Sequence, residues 1–506
     1  MEIPDFRPRR ERKAWLLFAG MGLYAITFII LYPPVFAIVD EDAYLTQTML
    51  FRSGHLSYDN SPVPAPHMTV NMAGKQVSKY PPGNSVFLLP FTFVGWQGVF
   101  LSGLLLALAG TWLFRLILAK LKPDADPVWS LLYLTYPAVV LFSRTVMSDL
   151  LAATMVLLAF YFLLLRNRYS FGAGLALGFA CFVRYSNAVL VPILFLLVIL
   201  YSRQKFRASL LFLIGLLPFA ALIAGYNTYA FGGPFCFPMY LTGRFSWAYF
   251  PRDLWFYTKN LLLLYPLMLF SPLVVGKTRG LLLGLPAYAV FIAYSFFSYI
   301  HVVPSLAQRL TVGMRYLLPA VPFFILAWVI ALDSFSRRTR PLSSLKYVIV
   351  GAMFVLSVCI QYRHQCYLKV QNHYRALLYK SVPKSALIVC NKDISELINY
   401  AWGWRDYREF AVFNAPVPLR RTIETRDTVY AGLLQKPGQT SFVELTVFES
   451  LLFLYPERQP VLTTQEPYIL RIFLLKPIPL PDQTVGDSVG TAPPKRIPSR
   501  RKSRRR

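Results

Sequence analysis

Residues 95–122 read GWQGVFLSGLLLALAGTWLFRLILAKLK, an apolar run that ends in Lys120 and Lys122. A helix of roughly 20 apolar residues crosses the hydrocarbon core of a bilayer, which is about 30 Å thick. Similar runs recur along the chain, and 56% of its 506 residues are hydrophobic. A soluble protein of this size could not bury so much apolar surface in one core. The sequence therefore predicts an all-α polytopic membrane protein.

We expect about eleven membrane-spanning helices. Their predicted bounds are 15–38, 95–119, 128–143, 149–165, 171–184, 187–202, 208–230, 257–276, 280–300, 316–333 and 345–362. The runs at 171–184 and 187–202 are short, which is typical of a hairpin whose polar tip lies inside protein.

Basic residues set the orientation of these helices. Lys and Arg number 52 against 24 Asp and Glu, a net charge of +28. They cluster in every second loop, at 7–13, 120–122, 166–168, 203–207, 277–279 and 337–340. Loops rich in Lys and Arg remain in the cytoplasm, so we place the N-terminus there. This distribution favours topology signals and anionic lipid headgroups over nucleic acid.

The domain organisation follows from these runs. We predict a cytoplasmic N-terminus at 1–14 and a transmembrane domain at 15–362, whose first outer loop spans 39–94. Residues 363–480 alternate short β-rich runs with amphipathic stretches, which predicts a small extracytoplasmic α/β domain. The basic tail at 481–506 is rich in Pro, Ser and Arg and is predicted to be disordered. The five cysteines lack metal-ligand spacing, and we expect free thiols.

Three carboxylates, Asp40-Glu41-Asp42, directly follow the first predicted span. Acidic residues at this depth are costly unless they are solvated, paired or functional. Tyr44 and Gln47 follow at helical spacing, so the acids are expected to cap a short helix. A solvated loop start and a catalytic site explain the triplet equally well.

A second polar element is Ser78-Lys79-Tyr80-Pro81-Pro82-Gly83, which leads into an apolar run. The two prolines and the glycine impose an extended turn that holds Lys79 at the membrane face. An ammonium group there could bind a lipid phosphate. Snorkelling to the interface accounts for this lysine when it is considered alone.

Charged residues also lie at the outer ends of later spans: Arg144, Asp149, Arg184 and Arg315. Asp149 and Arg184 could form a structural ion pair between helices or could contact substrate, and both interpretations stay open. His301 opens an outer loop, where a lone histidine is more often neither a ligand nor a base. Together, these groups predict a face that binds an anionic lipid headgroup while a carboxylate does acid–base chemistry.

Five motifs in this order resemble the GT-C glycosyltransferases. The likeness is strongest to the protein O-mannosyltransferase and aminoarabinose transferase branch, the family 39-like glycosyltransferases. The motifs are Asp40-Glu41-x-x-Tyr44, Ser78-Lys79-Tyr80-Pro81-Pro82-Gly83, Met147-Ser148-Asp149, Arg184-Tyr185-Ser186 and Arg315-Tyr316-Leu317-Leu318-Pro319-Ala320. The resemblance implies a GT-C fold and inverting transfer of a sugar from a polyprenyl phosphate, such as undecaprenyl or dolichyl phosphate.

The resemblance also implies roles for acidic residues. Asp40 is expected to act as the general base, while Glu41 supports it or organises the acceptor site. Asp42 stands where relatives often carry a proline or a small residue. The position of the base within 40–42 therefore stays open.

For the donor, the resemblance implies that Lys79 lies near the carrier phosphate. Asp149 and Arg184 resemble charged partners around the same cavity, and Arg315 resembles a further phosphate contact. Tyr44 and Tyr80 belong to the same motifs and are expected to support the site.

The expected partners are a polyprenyl-phosphate sugar donor, a lipid, glycan or protein acceptor, and membrane lipids, without nucleic acid. No Gly-rich nucleotide loop and no set of metal ligands is visible, so we expect no cofactor, although a divalent metal stays open. Short loops and a compact tail favour a bacterial inner membrane with the site facing the periplasm. Alternatives are a transporter or flippase of lipid-linked sugars, a non-catalytic envelope-glycan assembly subunit, or a transferase of whole oligosaccharides.

Overall fold

The structure is a computed structural model of the 506-residue chain. It describes residues 14–59, 67–72, 74–165, 169–237, 245–298, 305–336, 344–403, 405–410, 423, 426–437 and 440–475. His301 and the tail at 481–506 lie outside the described residues.

The first part of the chain is a helical bundle. Its helices are α1 (Ala14–Ile30), α2 (Val39–Arg52), α3 (Gly83–Leu88), α4 (Val99–Leu121), α5 (Leu131–Leu134), α6 (Pro137–Phe142), α7 (Ser148–Leu164), α8 (Ser170–Val183), α9 (Leu190–Tyr201), α10 (Lys205–Phe231), α11 (Phe250–Leu264), α12 (Ser271–Val274), α13 (Lys277–Ser295), α14 (Leu306–Leu310), α15 (Val321–Ser336) and α16 (Leu345–Ser381). Short 3₁₀ helices lie at Leu89–Val94, Trp96–Gly98, Pro127–Ser130, Tyr185–Val189, Met268–Phe270 and Val312–Leu317.

Three helices of the described chain are long and apolar enough to cross a membrane, at Trp96–Leu121, Lys205–Phe231 and Leu345–Ser381. A fourth span is possible if Leu306–Leu317 and Val321–Phe335, which are bent by 106° at their junction, count as one. Shorter apolar helices include α1, α7 and α8. These helices indicate a membrane protein, and the number of about eleven spans stays a prediction.

The predicted spans at 128–143 and 257–276 are each divided into several short helices. The segment predicted at 128–143 consists of the 3₁₀ helix Pro127–Ser130, α5 and α6. Tyr136 adopts an extended conformation immediately before Pro137, as expected for a residue whose α conformation the following proline ring disfavours. The segment predicted at 257–276 breaks in the same way, because Tyr265 is extended before Pro266.

Small residues bring α8 and α10 into direct backbone contact. A Cβ atom placed on Gly174 would lie 2.0 Å from the carbonyl oxygen of Phe212, and one on Gly215 would lie 2.2 Å from that of Phe171. Glycine is therefore required at both positions for the helices to approach this closely. The packing holds the end of α8, and with it Arg184, in a fixed place.

Residues 39–94, predicted to be the first outer loop, contain a small antiparallel sheet, which the all-helical prediction for this part of the chain omitted. Strands β1 (Tyr58–Asp59), β2 (Thr69–Met72) and β3 (Lys75–Ser78) are arranged in the order β1-β3-β2. The short strands carry little apolar alternation, so sequence periodicity does not reveal them. The sheet ends directly before Lys79 and positions the motif that follows.

A five-stranded sheet forms the C-terminal region, where an α/β domain was expected. Its strands are β4 (Leu387–Cys390), β5 (Asp406–Glu409), β6 (Val429–Gln435), β7 (Gln459–Thr463) and β8 (Ile469–Leu475), in the order β5-β4-β6-β8-β7. β4 pairs in parallel with β5 and β6, and the remaining pairs are antiparallel. Helices α17 (Lys392–Ser395) and α18 (Phe442–Leu454) accompany it.

Helix α16 joins the bundle to this sheet without a break. It continues through residue 362, the predicted end of the membrane domain, to Ser381. No proline or glycine occurs in the chain between residues 352 and 381, so nothing local interrupts the helix. Its last turns belong to the core of the sheet region, where Tyr374 and Leu378 are buried against Ile388.

Candidate active site

The acidic triplet lies in the first turn of α2, where the positive end of the helix dipole favours negative charge. Glu41 is only 2% exposed and folds back onto the backbone. Its carboxylate accepts hydrogen bonds from the N–H groups of Val146 (2.9 Å), Ile38 (3.1 Å) and Ala37 (3.2 Å). Glu41 therefore fixes the start of α2 and ties it to the loop before α7.

Desolvation is the main influence on this carboxyl group. Burial raises the pKa of Glu41 to about 7, against the opposing effect of its three backbone hydrogen bonds. The same cause raises the pKa of the buried Asp42 to about 6, with His67 and Arg375 opposing the shift. Both residues lie outside the candidate spans, in the segment predicted to be the first outer loop.

Asp40, Asp149, Arg184 and Arg315 form one cluster of alternating charges. Nε of Arg315 donates to both carboxylate oxygens of Asp149 at 3.1 Å, and its Nη1 donates to Oδ2 of Asp40 at 3.1 Å. Nη1 of Arg184 forms a second ion pair with Asp149. Two carboxylates thus balance two guanidinium groups, as required for charges away from water.

The four charges are not equally accessible. The side chain of Asp149 is fully buried, while those of Arg315 and Arg184 are 9% and 13% exposed. Asp40 is the most open of the four, at 17%. A ligand entering from outside the protein would therefore meet Asp40 before Asp149.

Each member of the cluster stands at a helix end. Asp149 lies in the first turn of α7, and Arg184 is the extended residue that follows α8. Arg315 lies in the 3₁₀ helix that precedes the bend into α15. Chain reversals therefore place groups from distant parts of the sequence at one end of the bundle.

Aromatic rings surround these charges. The Tyr316 ring centroid lies 5.1 Å from Cζ of Arg184 and 5.4 Å from Cζ of Arg315, within the range of cation–π contacts. The hydroxyl of Tyr44 is hydrogen-bonded to Ser148 at 2.8 Å, next to Asp149. Tyr80 packs on Tyr44 with 4.7 Å between ring centroids.

The Lys79 motif is held between α2 and the end of α8. The backbone N–H of Lys79 donates to Met68 at 2.9 Å. Gly83 lies so close to the backbone of Phe182 and Val183 that an added Cβ would be 2.6 Å from Phe182 atoms. The half-buried lysine is therefore anchored near the chain segment that carries Arg184.

The remaining predicted site residues lie apart from this cluster. Asp42 faces the C-terminal region rather than Arg315, because residues two apart on a helix point about 200° apart around its axis. Arg144 donates to the carbonyl of Leu31 (2.6 Å) and to Oε1 of Gln365 (2.8 Å), which ties the bundle to α16. Arg375, which lies near Asp42 and donates to the carbonyl of Phe36, was not predicted from the sequence, because Asp42 is more than 300 residues away along the chain. Within the described residues, no group of three His, Cys, Asp or Glu side chains is arranged to hold a metal ion.

No protein-family model matches the sequence, and no curated protein does. The structure is similar to that of ArnT from Cupriavidus metallidurans bound to undecaprenyl phosphate, with a TM-score of 0.61 and 12% identity over 91% of this chain and 98% of that chain. It is also similar to the mycobacterial arabinofuranosyltransferase AftD (TM-score 0.51, 12% identity, 93% of this chain and 42% of that one). A third similar structure is the Archaeoglobus fulgidus oligosaccharyltransferase, with a TM-score of 0.50 and 12% identity over 90% of this chain and 80% of that chain.

These three proteins are GT-C glycosyltransferases, and the chain shares their fold. The GT-C fold expected from the motifs is confirmed.

Proposed function

We propose that the protein is a membrane glycosyltransferase that moves a sugar from a polyprenyl phosphate to an acceptor, with inversion. The single observation that carries the proposal is the contact between Asp40 and Arg315 inside a cluster of paired charges on a GT-C fold. The undecaprenyl phosphate bound in the similar ArnT structure supports a lipid carrier of the same chemical class.

Asp40 is the general base in this proposal. Within the described residues it makes one ion pair, through Oδ2, and it is the most exposed acid of the cluster. The acceptor hydroxyl gives its proton to Asp40 as its oxygen attacks the anomeric carbon of the sugar. The bond from that carbon to the carrier phosphate breaks, and the phosphate leaves with the electron pair. Attack opposite the leaving group inverts the anomeric centre.

The arginines and Lys79 stabilise the departing phosphate. Negative charge grows on that phosphate as the glycosidic bond breaks, and fixed cations favour the charge in the transition state. Arg184 contributes only Nη1 to its ion pair with Asp149 in the described contacts, so its other N–H groups are available to phosphate oxygens. Asp149 keeps both guanidinium groups in place while the donor is absent.

The site is proposed to face the outside of a bacterial inner membrane. Lys122 belongs to a loop predicted to be cytoplasmic, and its Nζ lies 3.5 Å from Oδ2 of Asp333. Asp333 lies near the end of α15, and Arg315 lies just before its start. The helix has 16 residues and is about 24 Å long, so the two clusters stand at opposite ends. The acceptor is a lipid, a glycan or a protein.

A transporter of lipid-linked sugars is the second candidate. It predicts charges near the middle of the membrane, where the substrate would bind between repeated halves. The charges of the cluster lie at helix ends instead, which favours the transferase. A non-catalytic assembly subunit would not need Asp40 at all.

Replacing Asp40 by Asn separates these functions. Membranes containing the variant would be supplied with radiolabelled polyprenyl-phosphate sugars, and transfer of label from the lipid would be measured. We expect transfer to fall at least 100-fold, the scale of a lost general base, while expression is unchanged. The matched control is Asp427→Asn, at an exposed position just before β6. Full transfer by Asp40→Asn would refute the catalytic proposal, and loss in both variants would point to a general defect.

A further inference from the structure

An apolar cavity lies between α15, α16 and the chain segment that joins α11 to α13. It is lined by residues within 264–274, 328–335 and 345–353. Its volume is about 690 Å³, within the range of roughly 300–1,000 Å³ that is typical of ligand pockets. We call it the α15–α16 cavity. It is large enough to hold part of a second molecule.

The cavity lies at the depth of the membrane, at the end of the bundle that is remote from the charge cluster. Helix α16 is a candidate membrane span, and α15 belongs to the bent pair that together would make a further span. The lining comes from the second half of α15 and from the first turns of α16, whereas Arg315 stands before the start of α15. The predicted topology assigns this end to the cytoplasmic leaflet.

The lining offers no free polar group to a ligand. Three of the described lining residues carry polar side-chain groups, Tyr265, Ser271 and Trp328. Each of them donates a hydrogen bond to a backbone carbonyl oxygen, at 3.3, 2.7 and 2.8 Å respectively. A polar ligand would lose its hydrogen bonds to water without replacement, whereas a hydrocarbon chain has none to lose. The lining therefore selects a hydrocarbon chain.

The cavity is open towards the surrounding lipid. Leu267, Val274 and Phe335 line it and are 69%, 71% and 58% exposed, while the lining residues Tyr265 and Ser271 are buried. Leu267 also adopts a left-handed conformation, with φ of 63°. That conformation is uncommon for a residue with a Cβ atom, and such strained residues concentrate at ligand sites. A lipid chain can therefore enter from the bilayer between these exposed side chains and reach a buried floor.

Two cations stand next to the cavity. Lys277 and Arg279 begin α13, three and five residues after Val274 of the lining. The side chain of Lys277 is exposed and that of Arg279 is half-buried. A Cβ atom on Gly280 would lie 2.5 Å from the carbonyl oxygen of Pro272, so the first turn of α13 is packed directly on α12. Both cations are thereby held beside the segment that lines the cavity.

The acids Asp126 and Asp333, which lie at the same end of the bundle, already have cationic partners. Asp126 pairs with Lys346 at 2.6 Å, and Asp333 pairs with Lys122 at 3.5 Å. Lys277 and Arg279 therefore add positive charge that these two acids do not balance. Basic residues beside a cavity between membrane helices attract the anionic lipid headgroups of the cytoplasmic leaflet.

We propose that the α15–α16 cavity binds an acyl chain of an anionic phospholipid, whose phosphate is held by Lys277 and Arg279. The apolar lining selects the chain, and the two cations select the headgroup. The site is distinct from the proposed donor site, whose phosphate-binding arginines lie at the opposite end of the bundle. It does not depend on the proposed function.

Photocrosslinking of the full-length protein in phosphatidylcholine nanodiscs tests the proposal. A trace of phosphatidylglycerol with a diazirine near the end of one acyl chain would be activated by light, and the labelled peptides would be mapped by mass spectrometry. We expect label within 264–274 and 345–353. Unlabelled phosphatidylglycerol should displace it, whereas phosphatidylcholine of the same chain length and undecaprenyl phosphate should not.

Variants separate the chain from the headgroup. Ala331→Phe places a ring in the cavity and should remove most of the label from these peptides, while Ala221→Phe, at an exposed position of the candidate span α10, should not. Lys277→Gln and Arg279→Gln should each raise about 5-fold the amount of unlabelled phosphatidylglycerol that halves the labelling. Lys205→Gln, at an exposed lysine that begins α10, is the control for charge.

The proposal is overturned if these peptides take up no label. It is also overturned if phosphatidylcholine displaces the label as well as phosphatidylglycerol does, or if Lys277→Gln and Arg279→Gln both behave as Lys205→Gln does, because the cavity would then accept any bilayer lipid. Displacement by undecaprenyl phosphate instead would assign the cavity to the carrier chain and would likewise overturn it. Failure of the transferase proposal is seen separately, as full sugar transfer by Asp40→Asn.

Discussion

The ion pairs of Asp149 carry a prediction whose size follows from the structure. Replacing Asp149 by Asn removes the negative charge that both Arg184 and Arg315 contact, three contacts in all. Among the carboxylates of the described residues, Arg315 then pairs with Asp40 and Arg184 pairs with none. Removing one partner of a buried ion pair typically costs about 3–5 kcal/mol, because the remaining charge stays buried without compensation. We expect the free energy of unfolding to fall by that amount.

Denaturant unfolding of the protein in detergent, followed by tryptophan fluorescence, measures this change. Asp427→Asn serves as the control, because its side chain is exposed and its replacement should leave stability unchanged. Adding Arg184→Gln to Asp149→Asn should restore part of the loss, since one of the two uncompensated charges is then removed. If Asp149→Asn unfolds at the denaturant concentration of the original protein, the two arginines do not depend on this carboxylate and the cluster is wrongly assigned.

Three further predictions concern the donor, pH and orientation. Lys79→Ala should raise the KM for the lipid-linked donor more than the KM for the acceptor, and an unchanged donor KM would contradict a phosphate role. Burial raises the pKa of Glu41 from its ordinary 4.5 to about 7 and that of Asp42 from 3.8 to about 6. The folded state then holds these protons more tightly, so their stabilising contribution is complete below about pH 4 and disappears as the pH rises through 7. The slope of the free energy of unfolding against pH should therefore flatten in Glu41→Gln. An unchanged slope would exclude Glu41 as its source. In a chain whose native cysteines are replaced by serine, an impermeant thiol reagent added outside should label Asn60→Cys and not Lys205→Cys, and the reverse pattern would invert the proposed topology.

The helix-end charges show what sequence can predict in a membrane protein. Asp149, Arg184 and Arg315 were expected to share one face because apolar runs define helix ends and basic loops define their side. The structure brings all three together with Asp40. Their roles in catalysis remain predictions, since proximity fixes contact and not chemistry.

The three carboxylates of the acidic triplet point to different surroundings, which could not be predicted in the same way. Sequence shows three adjacent carboxylates, but the direction of each depends on where α2 begins and on what packs around it. Glu41 turns back to the backbone, Asp40 reaches Arg315, and Asp42 lies near Arg375, more than 300 residues away along the chain. Contacts of such separation leave no periodic signal in the sequence.

Chain breaks account for the other differences. Tyr136 and Tyr265 are extended and interrupt the helical path because each precedes a proline, a signal that is present in the sequence but weak beside the apolar runs. For α16 the opposite holds: apolar character fades after residue 362, yet no residue there interrupts the hydrogen-bond ladder of the helix. Hydropathy marks where a span leaves the membrane and does not mark where its helix ends.

Because α16 is continuous, the rotation and height of the C-terminal region relative to the helical bundle depend on the number of residues in this one helix. The helix has 37 residues and is about 55 Å long, far more than a bilayer core requires. One alanine inserted after Arg363 would turn everything beyond it by about 100° and carry Arg375 away from the carbonyl of Phe36. Seven inserted alanines make close to two full turns, so Arg375 would point in nearly its original direction and would be shifted about 10 Å along the helix axis.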